Sequence, residues 1–130
     1  MTGPTTSTPR PPAGALVRKP NRLWYLVFGV SLAVQLIVVY APAGPAGPRI
    51  NGLDKVIHVF IFAVPALTAL MVGIRARWAL VILAVHAPVS ELIQHLVLPH
   101  RSGDVLDVLA DLTGVVLGGW AYLAWTRRQH

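Results

Sequence analysis

The 130-residue chain contains no cysteine. A disulfide, a thiolate metal site and a cysteine nucleophile are all excluded, and redox compartment leaves no trace in the sequence. Charge is scarce as well, since Asp, Glu, Lys and Arg make up only 12% of the residues. Negative charge is scarcest, with five acidic residues against eleven basic ones. The five are Asp54, Glu91, Asp104, Asp107 and Asp111, and none lies in the tails, where a solvated surface would normally carry them.

Apolar residues fill the space. Hydrophobic content of 55% and a mean hydropathy of +0.61 are far from soluble-domain usage and close to that of an integral membrane protein. The net charge of +6 would suggest nucleic acid in a soluble protein. Here the basic residues flank apolar runs and read as topology signals, so no nucleic-acid partner is expected.

Residues 1–22 are rich in Pro, Thr and Gly and carry no acid, which predicts a disordered tail. Four apolar runs follow, at Leu23–Ala41, Val56–Ile74, Trp78–Leu98 and Val105–Trp125. Each is close to the ~20 residues that cross ~30 Å of hydrocarbon. The expected fold is an all-α membrane protein with four transmembrane helices spanning residues 23–128. Trp24, Tyr25, Tyr40, Trp78, Trp120, Tyr122 and Trp125 sit near span ends as interfacial anchors do. The stretch 42–52 is too rich in Pro and Gly to be helical. The link around Arg75–Arg77 is so short that spans two and three should form a tight antiparallel hairpin. A cleaved leader at Leu23–Ala41, ending in Ala41-Pro42-Ala43, fits less well. Its apolar run exceeds the usual ~7–15 residues, and the flanking prolines suit cleavage poorly.

Orientation follows from positive charge. With four spans, Arg10, Arg18, Lys19, Arg22, Arg75, Arg77, Arg127 and Arg128 share one side, which is eight of the eleven basic residues. The other side holds Arg49, Lys55 and Arg101. Both termini are therefore expected in the cytoplasm, in a multi-pass protein of the cell membrane.

On that topology the polar residues converge. Asp54, Lys55 and His58 open span two, with Asp54 and His58 at i, i+4 on one face. Glu91, Gln94 and His95 share a face in the outer part of span three. His100 and Arg101 lie in the following loop, and Asp104, Asp107 and Asp111 form one stripe at the start of span four. Three spans thus deliver polar faces to the extracytoplasmic half of the membrane. A charged side chain at mid-membrane costs on the order of 3 kcal/mol or more unless it is paired, wetted or protonated, so such residues mark sites. Asp104 and Asp54 also suit helix N-caps. Glu91 and Asp111 lie two turns or more inside their spans and are the hardest to explain by capping. Pro88, one turn before Glu91, removes a backbone donor and suggests a kink. His86 is away from the cluster and suits an interhelical hydrogen bond.

The pieces Asp54-Lys55-x-x-His58 with Phe60 and Phe62, Ser90-Glu91-x-x-Gln94, and Arg101-x-x-Asp104-x-x-Asp107-x-x-x-Asp111-x-x-Gly114-x-x-x-Gly118 resemble the VanZ-like family of small bacterial membrane proteins. The resemblance covers about residues 50–120. It implies a cell-envelope role, since the family takes its name from a member linked to resistance to the glycopeptide teicoplanin. No settled reaction comes with it. The family's shared polar positions fall on Asp54, Lys55, His58, Glu91, Gln94, Arg101, Asp104, Asp107 and Asp111.

Three roles fit these residues. The first is an enzyme or binder for a membrane lipid or lipid-linked, phosphate-bearing envelope precursor. Lys55, Arg101 and Gln94 would hold the substrate. Glu91, Asp107 or His58 would act as general acid or base. Asp54, Asp104, Asp107 and Asp111 would hold Mg²⁺ or another divalent cation. The second is a non-catalytic scaffold with a buried ionic lock. The five acids against Lys55 and Arg101 leave an excess of about −3, which is costly to keep dry. The third is ion- or proton-coupled transport, which with four spans per chain would need an oligomer. Whether the site is catalytic is left open by the residues.

Overall fold

The computed structural model describes residues 20–42, 52–98 and 103–129. It is all-helical there: α1 (Arg22–Tyr40), α2 (Leu53–Met71), α3 (Ala76–Val97) and α4 (Val105–Arg127). All four are long and apolar enough to cross a membrane. The expected fold class is what the chain adopts. The expected tail at 1–22 lies almost wholly outside the described residues, as does most of the loop at 42–52.

The helix ends follow local chemistry and shift some expected boundaries. Asn21 caps α1, its side chain accepting from the Leu23 amide. Asp104 caps α4, its Oδ1 accepting from the Leu106 amide at 2.9 Å. Asp54 was expected to suit a cap, but the N-cap of α2 is Gly52 and Asp54 lies in the first turn. There its charge faces the positive end of the helix dipole. Helix α2 ends three residues earlier than its apolar run because Gly73 takes a left-handed conformation, φ 90°. The amides of Gly73 and Ile74 turn back to the carbonyls of Leu70 and Ala69, a Schellman closure. The hairpin turn is therefore Val72–Arg75, and Arg77 belongs to α3. Hydropathy counted Ile74 as helix because it does not register backbone handedness.

Joined by this short turn, α2 and α3 nonetheless touch each other less than either touches α4. Helix α2 is the centre of the bundle, packing on α4 most closely, on α1 next and on α3 least. Glycine explains the preference for α4. A methyl at Gly114 would collide with the Val59 carbonyl, and one at Gly118 with the Ala63 carbonyl and Ala66. Gly119, one position round the helix, faces Leu80 of α3 instead. Small residues that let backbones approach are the usual device where lipid removes the hydrophobic drive for helix association.

The register of this pair is uniform. Both helices run in the same direction, and Gly114 meets Phe62 as Gly118 meets Ala66. Lys55 bonds Asp107 across the same separation of 52 residues. The glycine seam thus sets which polar side chains meet further up the pair.

The surface is inside-out relative to a soluble protein. Leu26, Ile37, Phe60, Leu96, Val105 and Val116 are all largely exposed. The buried set includes Gln35, His58, Thr68, Ser90, Glu91, Gln94 and Asp111. The apolar core between them is built from Val39, Phe62, Ala66, Leu83, Ala87 and Val115. Apolar side chains outside and polar ones inside suit hydrocarbon as solvent.

Candidate functional site

The polar residues gather at the end of the bundle formed by the start of α2, the last turns of α3 and the start of α4. Lys55 is the hub of the outer layer. Its ammonium is 2.7 Å from Asp104 Oδ2 and 3.2 Å from Asp54 Oδ2, and it also bonds Asp107 Oδ1. Asp54 is the loosest of the three partners, with 61% of its side chain exposed, against 14% for Asp107. The Lys55 ammonium holds the Asp104 carboxyl below the ordinary carboxylate range, helped by the Leu106 amide.

One turn deeper, His58 Nδ1 lies 2.8 Å from Asp111 Oδ1. The pair is buried, Asp111 wholly so. Among the described residues, Asp111 Oδ2 is buried without a hydrogen-bond partner. From α3, Glu91 reaches both helices' neighbourhood. Its Oε2 accepts the Asp104 amide at 2.9 Å and its Oε1 accepts Gln94 Nε2 at 3.2 Å. Gly103 makes that approach possible, because a side chain there would strike the Glu91 carbonyl and His95 Cβ, at 2.7 and 3.0 Å. His58, Glu91 and Asp107 bring one donor atom each within 4.8 Å of one another.

The expected site is thus brought together for Asp54, Lys55, His58, Glu91, Gln94, Asp104, Asp107 and Asp111. Arg101 and His100 lie outside the described residues. The expected metal ligands do not converge on one point. Asp54, Asp104 and Asp107 turn to Lys55, while Asp111 turns to His58. The i, i+4 face shared by Asp54 and His58 does not unite them either, since Asp54 stays at the exposed rim. Lys55, expected to hold substrate, is already bonded to three carboxylates.

Outside the cluster, His86 makes the interhelical bond expected of it, 2.9 Å from the Tyr40 hydroxyl, and stacks at a tilt on Phe62. Tyr40, the last residue of α1, thus engages its hydroxyl within the bundle. Ser31 and Thr68 link α1 to α2 at 3.2 Å. Gln35, which is not among the expected site residues, is buried in α1 with Nε2 unpartnered among the described residues. A lone amide in the middle of an apolar span was the available signal.

No protein-family model, curated protein or solved structure matches this chain.

Proposed function

We propose that this chain is a VanZ-like protein of the bacterial cell membrane. Its termini are cytoplasmic, and its polar end engages a lipid-linked, phosphate-bearing envelope molecule in the outer leaflet. The observation that carries the reading is the meeting of Lys55, His58, Glu91, Gln94, Asp107 and Asp111 from three helices inside an otherwise apolar exterior. A polar cluster at the end of a bundle with an apolar exterior suits a ligand with a polar head and a long apolar tail. Positive charge at the tails and the α2–α3 turn supports the outward placement. The resemblance carried by the motifs between Asp54 and Gly118 supports the envelope role.

In this reading Lys55 and Arg101 take phosphate oxygens. Asp54, the most exposed partner of Lys55, is the carboxylate most readily exchanged for one. Glu91 and His58 are the groups placed to move a proton. The clustering of carboxylates makes the site selective, because a bare phosphate is repelled unless a cation accompanies it.

The ionic-lock reading has one observation in its favour. Lys55 ties α2 to the start of α4 through Asp104 and Asp107. It leaves the free oxygen of Asp111 unexplained.

The test is lipid retention. Purified protein would be offered an isoprenoid phosphate, the isoprenoid alcohol of equal length and phosphatidylglycerol, and examined by native mass spectrometry. Preferential retention of the isoprenoid phosphate, weakened by Lys55→Met, is expected. Equal retention of all three would overturn the lipid-phosphate reading.

A further inference from the structure

The three residues expected as acid–base groups, His58, Glu91 and Asp107, bring their donor atoms together in the structure. We propose that His58, Glu91 and Asp107 form a divalent-metal site, with Asp111 as the residue that orients His58. This goes beyond the lipid reading and does not depend on it, since the site would hold a metal with or without a lipid ligand, and while it does so His58 and Glu91 are ligands rather than proton carriers.

The first ground is geometry. One atom from each of the three side chains lies within 4.8 Å of the other two, and each comes from a different helix. An ion about 2.0–2.2 Å from each donor accommodates donors up to about 4.4 Å apart, so small side-chain movements close the site. His58 and Glu91 are buried, and Asp107 is largely so.

The second ground is Asp111, which is no member of the donor set. Metal-bound histidines commonly give their other ring nitrogen to a carboxylate, which fixes tautomer and ring orientation. Asp111 Oδ1 stands 2.8 Å from His58 Nδ1 and is in place to do this. With Nδ1 so committed, Nε2 is left to coordinate. The remaining oxygen of Asp111 is buried with no partner among the described residues. A wholly buried carboxylate with one oxygen idle is expensive unless positive charge lies close by.

The third ground is charge. Lys55 is shared among Asp54, Asp104 and Asp107. Among the described residues, Glu91 has no lysine or arginine within ion-pair distance, and Asp111 has only His58. Glu91, Asp107 and Asp111 together carry three negative charges when ionised, which a divalent ion with a share of Lys55 largely offsets.

One imidazole and two carboxylates select the ion. Mg²⁺ and Ca²⁺ prefer oxygen donors alone, whereas a mixed nitrogen–oxygen set suits Mn²⁺ or Zn²⁺. Asp54 and Asp104 are not ligands here, because both are more exposed than Asp107 and lie outside the group of donors that converge within 4.8 Å. Three protein donors leave coordination positions open for water or a phosphate oxygen.

The experiment uses the full chain in detergent, stripped with chelator and titrated with MnCl₂ under electron paramagnetic resonance, with ZnCl₂ as competitor. One Mn²⁺ per chain is expected, displaced by Zn²⁺ and showing nitrogen coupling in the echo-modulation spectrum. His58→Gln should abolish the nitrogen coupling. Glu91→Gln and Asp107→Asn should each weaken binding at least about 10-fold, and Asp111→Asn about 10- to 100-fold with the nitrogen coupling kept. If a variant fails to accumulate, the wild-type spectrum decides alone. A wild-type protein that binds neither ion at 1 mM, or binds Mn²⁺ through oxygen only, overturns the site, as does unaltered binding by Glu91→Gln. A positive metal result with no lipid discrimination would leave the metal site standing and remove the lipid reading alone.

Discussion

Gly114 of α4 lies against Phe62 of α2 in the same parallel register that sets Asp107 against Lys55. Packing and chemistry on this helix pair are therefore one property. Gly118→Ala would drive a methyl into the Ala63 carbonyl and against Ala66. Overpacking of this kind costs about 1–3 kcal/mol. We expect lower thermal stability in detergent for Gly114→Ala and Gly118→Ala. Gly119→Ala should be milder, because its methyl would meet only flexible Leu80 atoms at 3.4 Å and beyond. Equal melting of all three variants would show that the α2–α4 seam is looser than its geometry implies.

The Lys55 hub gives a second test. Lys55→Met leaves Asp54, Asp104 and Asp107 facing one another without their shared cation, and should destabilise the protein by about 1–3 kcal/mol. Asp107→Asn alone removes one partner and leaves two. In chelator-treated protein the double variant should lose less than the sum of the two, with a coupling of at least ~0.5 kcal/mol. Strict additivity would mean that the ammonium–carboxylate contact is not formed in solution.

Much of this arrangement was legible in the sequence, for a physical reason. Hydropathy reports the solvent around a helix, so four apolar runs were enough to place α1 to α4 within a few residues. Charged residues in such runs are rare enough that Glu91 and Asp111 pointed to the site by themselves. Pairings were less legible. Spacing at i, i+4 puts Asp54 and His58 on one face, but the depth of each along the helix decides its partner. Asp54 stays at the rim with Lys55, while His58 lies a turn deeper with Asp111. Which carboxylate a histidine meets depends on the offset between α2 and α4, and that offset is set by Gly114 and Gly118. The backbone handedness of Gly73 and the Tyr40–His86 contact likewise depend on three-dimensional context that hydropathy omits.

Orientation can be tested directly because the chain has no native cysteine. Single cysteines at Gly47 and Ser102 are expected to react with an impermeant thiol reagent in intact cells. A cysteine at Ala76, beside the α2–α3 turn and flanked by Arg75 and Arg77, should react only after the membrane is opened. The reverse pattern would put the polar end in the cytoplasm and remove the argument for an outer-leaflet ligand.

The decisive comparison separates the cluster from an equally polar contact outside it. Glu91→Gln and Asp107→Asn keep side-chain volume while removing charge, so a packing defect is a poor explanation for any loss they cause. Arg101→Ala removes one of the three basic residues expected on the outward side. Each is expected to abolish whatever glycopeptide or envelope-stress phenotype the gene confers, while the protein still accumulates in the membrane. His86→Ala and Tyr40→Phe remove an interhelical hydrogen bond 2.9 Å long. A bond of that kind contributes about 0.5–1.5 kcal/mol, and loss of the histidine ring adds a packing cost. Both should lower melting temperature and leave the phenotype intact. Loss of phenotype in Tyr40→Phe at normal protein levels would show that any polar contact between these helices is equally needed. In that case the cluster of α2, α3 and α4 holds the bundle together rather than acting on a ligand.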